Sequence, residues 1–224
     1  MTIFISRELK SNSPFLALLA DKAKVIGSSL IDFKAVPIAR IPQADWLFFY
    51  SKKGIRYFFE QLPKGFSLPS LAVIGKASAD YLYKNYQLQA DFIGTGHPEA
   101  TAQQFLSLAQ QKKVVFVQAK QSRQSVQQLI KTQVETEALI VYDNVPKTTF
   151  ELPVADILVF TSPMNAQAYF AQYPLKDHQQ VVSIGHSTAK ALKILNIHNF
   201  HIAEQPNEAA LAQTCLTLLS NRSN

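Results

Sequence analysis

Basic and hydroxyl side chains cluster where the predicted strands of this chain end. The groups are Ser6-Arg7, Tyr50-Ser51-Lys52-Lys53, Gly75-Lys76, Lys120 with Arg123, Thr161-Ser162 with Asn165, and His186-Ser187-Thr188. Ligands of open parallel sheets bind at the carboxyl ends of strands, and the helices that begin there offer free backbone N–H groups to anions. Six of these residues are fixed cations and none is acidic, so the pattern favours an anion site. The alternative is that Ser51, Ser78 and Ser162 are ordinary helix N-caps, which contribute about 1 kcal/mol each.

Tyr142 is the other candidate for chemistry. It ends a predicted strand just before a proline-containing stretch, and its counterpart in the internal repeat described below is Phe33. A hydroxyl in one copy and none in the other suggests a functional role for Tyr142. The alternative is a strand tyrosine that only packs its ring.

The usual catalytic and metal-binding signatures are absent from the sequence. Gly94-Thr95-Gly96 lacks the third glycine of a dinucleotide-binding loop, and neither a phosphate loop nor a nucleophile elbow occurs. The five histidines have no partners at metal-ligand spacing, and the single cysteine, Cys215, lies on the apolar stripe of a predicted helix. We therefore expect a buried, unreactive Cys215, and we expect neither a cysteine-cluster metal site nor a nucleotide bound through one of these loops.

Charge and hydropathy narrow the class of partner. A net charge of +6 and a pI near 9.3 indicate an anionic partner. The basic residues are scattered, without a basic helix or an RNA-binding aromatic signature, so a small polyanion in a cleft fits better than nucleic acid. No apolar run approaches the roughly 18–20 residues of a membrane helix, and residues 1–8 do not resemble a signal peptide. We expect a cytoplasmic protein that does not bind membranes.

An internal repeat, of about 110 residues per copy, indicates the fold class. Residues 45–51 return as 156–162, 55–62 as 166–173, and 74–79 as 184–189. Predicted strands at 3–6, 30–36, 46–50, 72–75, 114–117, 139–142, 157–160 and 181–184 alternate with predicted helices. Among these helices are 55–62, with an apolar stripe at 55, 58, 59 and 62, and 78–86. The chain is therefore predicted to be α/β, with two similar lobes that are each a parallel sheet flanked by helices, and with a ligand-binding cleft between the lobes.

Two proline-containing stretches, 37–42 and 146–153, stand at the same point of each copy. Proline fixes its own φ and biases the preceding residue toward extended backbone, so both stretches are predicted to be linkers. If both cross between the lobes, one lobe comprises 38–145 and the other combines 1–37 with 146–224. One chain then supplies both walls of the cleft, so we expect a monomer.

Several short motifs occur in an order and spacing that together are fairly specific. They are Ser6-Arg7, Asp45-Trp46 leading to Ser51, Ile74-Gly75-x-x-Ser78-Ala79, Tyr142, Phe160-Thr161-Ser162 with Asn165, and Ile184-Gly185-x-x-Thr188-Ala189. On these residues the chain resembles the uroporphyrinogen-III synthase family over essentially its whole length. It departs from the usual family pattern at Glu8, at Tyr50 and in lacking a glycine after the strand at 114–117.

The resemblance implies two α/β lobes joined by a two-stranded linker. It also implies a lyase that converts hydroxymethylbilane to uroporphyrinogen III with inversion of the last pyrrole ring, without a cofactor, and with Tyr142 assisting departure of the terminal hydroxyl. A non-catalytic bilobed protein that binds a small polyanion is the alternative, and a nucleic-acid-binding module is supported only by the basic pI. The expected substrate-binding residues are Ser51, Lys52, Lys53, Gly75, Lys76 and Ser78 on one wall, and Arg7, Thr161, Ser162, Asn165, Ser187 and Thr188 on the other.

Overall fold

Two parallel β-sheets organise the chain, one in each of two units. The computed structural model describes residues 1–221. Unit 1 comprises Met1–Asp32 and the chain from Val145 onward, and unit 2 comprises Phe33–Asn144. The chain therefore passes from one unit to the other twice, each time shortly before a proline-containing stretch. No helix within residues 1–221 combines the length and the apolar character that a membrane crossing requires.

Strands and helices alternate along most of the chain. In order they are β1 (Thr2–Ile5), α1 (Pro14–Leu19), β2 (Lys24–Gly27), β3 (Ile31–Ala35), β4 (Trp46–Phe49), α2 (Lys52–Phe59), β5 (Ser70–Val73), α3 (Lys76–Tyr86), β6 (Phe92–Ile93), α4 (Pro98–Ala109), β7 (Lys113–Ala119), α5 (Ser125–Ile130), β8 (Glu135–Pro146), β9 (Ile157–Phe160), α6 (Pro163–Phe170), β10 (Gln180–Ser183), α7 (His186–Ile194), β11 (His201–Ile202) and α8 (Glu208–Asn221).

The sheet of unit 1 has the strand order β11-β10-β9-β1-β2, with parallel pairing throughout. Its central strand β9 is buried on both faces, as a continuous apolar sequence predicts. Ile157 and Val159 pack in one core with α1 and α8, whereas Leu158 and Phe160 pack in a second core with α6 and α7. The period of two along β9 thus places helices on both faces of the sheet.

The sheet of unit 2 has the order β3-β8-β7-β4-β5-β6. Its central strand β4 divides its side chains in the same way: Leu47 and Phe49 face α2 and α3, and Phe48 faces α4 and α5. Without β3, the order β6-β5-β4-β7-β8 matches the order β11-β10-β9-β1-β2 of unit 1 strand for strand. β3, which carries Phe33, is an additional edge strand beside β8.

The predicted fold class, α/β with parallel sheets flanked by helices, is confirmed. The main differences lie at helix starts: the helix expected at 55–62 begins at Lys52, because Ser51 caps it, and the helix expected at 78–86 begins at Lys76. The sequence analysis did not identify β2, a four-residue strand at the edge of its sheet, or the six-residue helix α5.

A β-bulge interrupts β8 just before Tyr142. In the pairing with β7, Gln118 lies opposite Ile140, but the next residue, Ala119, lies opposite Tyr142, so Val141 is the extra residue. In a regular strand, neighbouring side chains point to opposite faces. Here Val141 and Tyr142 belong to the same core cluster as α2, because a bulge re-aims the side chain that follows it.

Candidate active site

Tyr142 is held by α2 at both ends of its side chain. The residue is buried, with 7% of its surface exposed, and its hydroxyl oxygen lies 3.2 Å from the Oγ of Ser51. Its ring is stacked on the ring of Tyr57, with 5.3 Å between the centroids and 18° between the planes. The ring of Phe33 lies on another side, with the centroids 6.2 Å apart. The phenol is therefore placed by contacts from α2 and β3.

Ser51 caps α2 and meets Tyr142 with the same atom. Its backbone is extended, and its Oγ accepts a 3.0 Å hydrogen bond from the N–H of Gly54 in the first turn. Either hydroxyl of the Ser51–Tyr142 pair can be the donor. Because Ser51 accepts from Gly54, its own hydrogen is free to point at the Tyr142 oxygen. In that orientation the hydrogen of Tyr142 is available to another group.

Gly54 keeps this corner open. A Cβ at this position would lie 3.3 Å from the carbonyl oxygen of Val117 and 3.5 Å from the Oγ of Ser51. The first of these distances is tight and the second is ordinary contact. A larger side chain here would thus reach both the cap and the adjacent strand β7, so glycine leaves Ser51 accessible to Tyr142.

Two lysines begin α2 next to this cluster. Lys52 is exposed, and the Nζ of Lys53 lies 3.9 Å from the centroid of the Phe33 ring, a cation–π contact. Within residues 1–221, neither lysine takes part in an ion pair. Both cations are therefore available to an anion that approaches the amino end of α2.

The start of α3 lies beyond the neighbouring strand. Gly75 precedes the helix without a side-chain cap, and a Cβ there would lie 3.1 Å from the backbone of Gly96. Ser78 is buried, whereas Lys76 is exposed and pairs with Asp80 at 3.3 Å, one turn along α3. The uncapped amides and Lys76 are the groups that α3 offers to an anion.

In unit 1, the hydroxyls at the end of β9 bond to the protein itself. Thr161 donates from its Oγ1 to the carbonyl oxygen of Ser6 at 2.9 Å, and its N–H donates to the Oγ of Ser6. Ser162 caps α6 and accepts 2.8 Å from the Nδ2 of Asn165, whose Oδ1 accepts from the N–H of Leu30. These side chains tie β1, β9 and α6 together.

The start of α7 presents two different hydroxyls. Ser187 is exposed, and Thr188 is fully buried. In the described part of the chain, the Oγ1 of Thr188 has no hydrogen-bond partner. Gly185 precedes the helix without a side-chain cap, and a Cβ there would meet no atom within 4 Å. Backbone N–H groups at this end are thus unhindered.

Comparison with known families decides what this arrangement is. A family model described as Uroporphyrinogen-III synthase HemD matches residues 18–213, which is most of the chain. The chain belongs to the uroporphyrinogen-III synthase family. The resemblance seen in the sequence motifs is thereby confirmed.

Solved structures of uroporphyrinogen-III synthases share the fold. The enzyme from Helicobacter pylori superposes with a TM-score of 0.68 at 19% identity, covering 97% of this chain and 99% of that one. A mutant of the enzyme from Thermus thermophilus gives a TM-score of 0.52 at 17% identity, with 99% of each chain covered. Among curated proteins, none matches the chain significantly. At such identities the likeness concerns the fold, so site residues must be argued from their own contacts.

The cations of this uroporphyrinogen-III synthase family member fall into two groups. The sequence analysis found no acidic residue among the strand ends, but the fold brings three carboxylates to them. Arg7 pairs with Glu208 at 3.1 Å, Lys76 with Asp80, and Lys120 with Asp143 at 3.7 Å. In residues 1–221, Lys52, Lys53 and Arg123 take part in no ion pair. Glu208 and Asp80 lie in helices, whereas Asp143 directly follows Tyr142 in β8, at a predicted strand end that was not counted among the basic groups.

Arg7 borders a cavity of about 760 Å³ in unit 1. Its lining includes the loop after β1 and the start of α8. Glu208, the partner of Arg7, also accepts a hydrogen bond from the Oγ of Ser13. Arg7 is thus oriented by a carboxylate, and it keeps a half-exposed side chain that can reach an anion in the cavity.

Tyr57 and Phe33 contribute to the Tyr142 cluster, and the sequence analysis missed both roles. Tyr57 is an aromatic residue of α2 outside the expected apolar stripe of 55, 58, 59 and 62, which is a signal that could have marked it. Its hydroxyl donates to the carbonyl oxygen of Phe33 at 2.8 Å. Phe33 had been considered only as a repeat counterpart of Tyr142, whereas the structure makes it a neighbour.

Two further titratable side chains near the predicted elements are structural. The hydroxyl of Tyr50 accepts from the N–H of Gln127 at 2.8 Å, and burial raises the pKa of Tyr50 from 10.0 to about 12 despite the opposing effect of backbone hydrogen bonds. Burial likewise raises the pKa of the Cys215 thiol from 9.0 to about 12. The prediction of a buried Cys215 is confirmed, since none of its surface is exposed. Both groups remain protonated and neutral at pH 7.

Proposed function

We propose that this chain cyclises hydroxymethylbilane to uroporphyrinogen III as a lyase of tetrapyrrole biosynthesis, and that Tyr142 is the hydrogen-bond donor to the departing hydroxyl. Family membership supports the reaction. The observation that carries the role of Tyr142 is its 3.2 Å contact with Ser51 at the cationic start of α2. The reaction needs no cofactor.

The chemistry of the substrate explains why no strong nucleophile is required. Hydroxymethylbilane is a linear tetrapyrrole with eight carboxylates, and it loses its terminal hydroxyl readily. The C–O bond breaks, the hydroxyl leaves with a proton as water, and the resulting azafulvene closes the ring through a spirocyclic intermediate that inverts the last pyrrole. Without an enzyme the ring closes to the wrong isomer. Holding one folded shape is therefore the main task, and orientation of this kind contributes up to about 7–11 kcal/mol.

In the first step, Tyr142 donates a hydrogen bond to the departing hydroxyl. If Ser51 donates to the Tyr142 oxygen, the Tyr142 hydrogen points away from Ser51 and can be donated to the leaving hydroxyl. Accepting a hydrogen bond polarises the phenol and strengthens its own donation. In this proposal Ser51 acts through Tyr142, while it continues to cap α2.

The substrate carboxylates are held by residues of both units in this proposal. The set is Ser51, Lys52, Lys53, Gly75, Lys76 and Ser78 in unit 2, and Arg7, Thr161, Ser162, Asn165, Ser187 and Thr188 in unit 1. Exposure and the lack of an ion pair support direct contact by Lys52 and Lys53. The internal hydrogen bonds of Thr161 and Asn165 support an indirect role, in which they fix the backbone that meets the substrate.

A coupled assay tests the reaction and Tyr142 together. Hydroxymethylbilane is generated in situ, the products are oxidised, and porphyrin isomers I and III are separated by chromatography. We expect isomer III from the wild type. Tyr142→Phe keeps the ring and removes only the donor, so kcat should fall by about 10²-fold, at the lower end of the range for acid catalysis. KM should change little, and isomer III should remain the enzymatic product.

The two parts of the proposal fail separately. If the wild type gives only isomer I at the uncatalysed rate, the chain binds a polyanion without converting it. If the wild type gives isomer III but Tyr142→Phe leaves kcat unchanged, Tyr142 is a packing residue and the donor lies elsewhere.

We also propose that the two units serve as the two lobes of a monomer in the cytoplasm that binds no nucleic acid. Each open sheet packs against helices of its own unit, which supports independent lobes. Light scattering coupled to size exclusion should give the mass of one chain, 25.0 kDa. Salt-sensitive binding to DNA at physiological ionic strength would contradict the proposal that the protein binds no nucleic acid.

A further inference from the structure

We propose that Tyr57 is a positioning residue for Tyr142, holding the phenol in line with the leaving hydroxyl. The inference rests on the proposed role of Tyr142 as donor. Tyr57 acts through Tyr142 in this proposal, and within residues 1–221 its hydroxyl bonds only to the backbone of β3.

The geometry of the stack carries the inference. The rings of Tyr57 and Tyr142 are 5.3 Å apart and within 18° of parallel, an offset-stacked arrangement. The Ser51 contact restrains only the oxygen of Tyr142, and rotation of the ring about its long axis leaves that oxygen in place. The flat face of Tyr57 opposes this rotation, and the Phe33 ring closes another side. The plane of the phenol, and hence the direction of its O–H bond, is set by the stack.

Tyr57 is itself fixed by hydrogen bonds that tie α2 to the segment around β3. Its hydroxyl donates to the carbonyl oxygen of Phe33 at 2.8 Å. One turn further along, Gln61 donates from its Nε2 to the carbonyl oxygen of Tyr57 at 2.9 Å and accepts at its Oε1 from the N–H of Ile38 at 3.1 Å. The stacking face is therefore anchored at both its tip and its backbone.

Helix α2 thus delivers two separate restraints to one side chain. Ser51, at its cap, faces the hydroxyl of Tyr142, and Tyr57, near its end, faces the ring. The bulge at Val141 turns Tyr142 toward this helix in the first place. A hydrogen-bond donor is effective only when its O–H bond points at the acceptor, so such alignment favours the reaction. Small misplacements cost about 10²-fold in rate in well-ordered sites.

The test removes the ring and the hydroxyl separately. Tyr57→Leu deletes the stacking face, and Tyr57→Phe keeps it while removing the donor to Phe33. We expect Tyr57→Leu to lower kcat by about 10–100-fold with KM within about threefold of wild type. Tyr57→Phe should stay within about threefold of wild type in kcat, because the stack persists. A loss in Tyr57→Phe as large as that in Tyr57→Leu would overturn the role of the stack.

Unit 1 offers a matched control. The hydroxyl of Tyr173 donates to the carbonyl oxygen of Phe150 at 2.8 Å, as the hydroxyl of Tyr57 does to that of Phe33. The ring of Tyr173 lies 5.7 Å from that of Phe150. Tyr173→Leu should lower the melting temperature by an amount comparable to Tyr57→Leu and leave kcat near wild type. Equal losses of kcat in the two leucine variants would show a general effect of destabilisation and would overturn the inference.

A double mutant separates this inference from the proposed function. In the Tyr142→Phe background, Tyr57→Leu should cause little further loss of kcat, because there is no donor left to align. Independent, multiplicative losses would overturn positioning. If Tyr142→Phe alone has wild-type kcat, the donor role itself fails, which is a different outcome. NMR of ring-labelled tyrosine gives a readout besides activity: the Tyr142 ring signals, assigned with Tyr142→Phe, should show faster ring rotation in Tyr57→Leu, and unchanged rotation would contradict the inference.

Discussion

Ser51 and Ser162 cap corresponding helices in the two units, yet their hydroxyls have different uses. The backbone angles at the two caps agree within a few degrees, with φ −159° and ψ 159° at Ser51 and φ −161° and ψ 156° at Ser162. Each Oγ accepts from the N–H three residues on. The next contact differs: Ser162 accepts from the side chain of Asn165, whereas Ser51 meets Tyr142.

The difference comes from the third residue of each helix. Asn165 occupies this position in α6, where its side-chain amide donates to Ser162 and accepts from the N–H of Leu30. The corresponding residue of α2 is Gly54, which has no side chain to do so. The cap of α6 is therefore held by an additional side-chain hydrogen bond, whereas the cap of α2 leaves its hydroxyl in contact with the phenol of Tyr142. Between two units with the same strand order, the candidate site residue is the one whose hydroxyl is not bonded by a side chain of its own helix.

We expect the largest effect on activity when the glycine of α2 is replaced by the asparagine that α6 has at the same position. In Gly54→Asn, the new amide should donate to Ser51 as Asn165 does to Ser162, and it should displace Tyr142. We expect kcat to fall by about 10²-fold, as in Tyr142→Phe, because the donor loses its partner and its place. The coupled isomer assay measures the change.

Two variants control for bulk and for folding. Gly54→Ala adds the Cβ without the amide and should keep most of the activity. Asn165→Gly should destabilise unit 1 by about 1–3 kcal/mol, since the buried N–H of Leu30 loses its acceptor, with kcat largely kept. An inactive Gly54→Ala would attribute the effect to crowding at Val117 and not to the hydrogen bond.

The paired alanine variants of the two caps should show a smaller contrast. Ser51→Ala and Ser162→Ala each remove an N-cap, which costs about 1 kcal/mol of stability in either unit. Ser51→Ala should in addition lower kcat by about tenfold, because it removes the polar partner of Tyr142 without disturbing the ring. Urea unfolding and steady-state kinetics separate the two effects. Equal kcat values for the two variants would mean that the Ser51 contact has no role in the reaction.

The sequence could predict the strand ends, because buried parallel strands are continuous apolar runs such as 157–160 and the serine caps follow them closely. It could not predict how far each hydroxyl is already satisfied. Asn165 bonds to Leu30, 135 residues away, and Arg7 pairs with Glu208, 201 residues away. Such partners are set by tertiary packing, which no local pattern encodes.

The setting of Tyr142 shows the same limit. A pattern of alternating residues predicts opposite faces for Val141 and Tyr142, and only the pairing with β7 shows the bulge that puts them on one side. The strand order also places β3, which carries Phe33, beside β8, a contact that position along the chain does not predict.

The charges at the two helix starts should give a weaker effect. Lys52 and Lys53 begin α2, whereas Pro163 and Met164 begin α6. Lys53→Met, which copies α6, should raise KM by up to about fivefold, since exposed ion pairs contribute only about 0–1 kcal/mol. The rise in KM with added salt should also become less steep, because one screened attraction to the polyanion is gone. Met164→Lys is the reciprocal control, and a wild-type salt dependence in Lys53→Met would exclude a direct contact.

The last expected effect is on stability at high pH and comes from two buried acids, Cys215 in unit 1 and Tyr50 in unit 2. Each pKa is raised to about 12 by burial, from 9.0 and 10.0, so the folded state holds a proton that the unfolded chain releases at lower pH. Their contribution is complete below the unfolded pKa and is lost as pH rises toward 12. The free energy of unfolding should therefore fall above pH 9, by about 1 kcal/mol per pH unit for each group.

Urea titrations at pH 7.5, 9.5 and 10.5 check this expectation. Cys215→Ala should remove the part of the decline that begins near pH 9, and Tyr50→Phe the part that begins near pH 10. Both variants are less stable than wild type at pH 7.5, because one leaves a small cavity and the other an unpaired N–H at Gln127. A variant that declines in parallel with wild type would show that its group does not titrate on unfolding.

The position of β1 in the middle of its sheet has a consequence for synthesis on the ribosome. β1 is made before every other strand of the two units, but one of its two neighbours is β9, where Ile157 lies beside Ile3. Unit 2 is one uninterrupted segment and emerges from the ribosome before that neighbour does. At about 5–20 residues per second, residues 1–32 wait roughly 6–25 s for residue 157. β1 therefore gains its second neighbour only after unit 2 has been made, and unit 2 is the first of the two units that can fold.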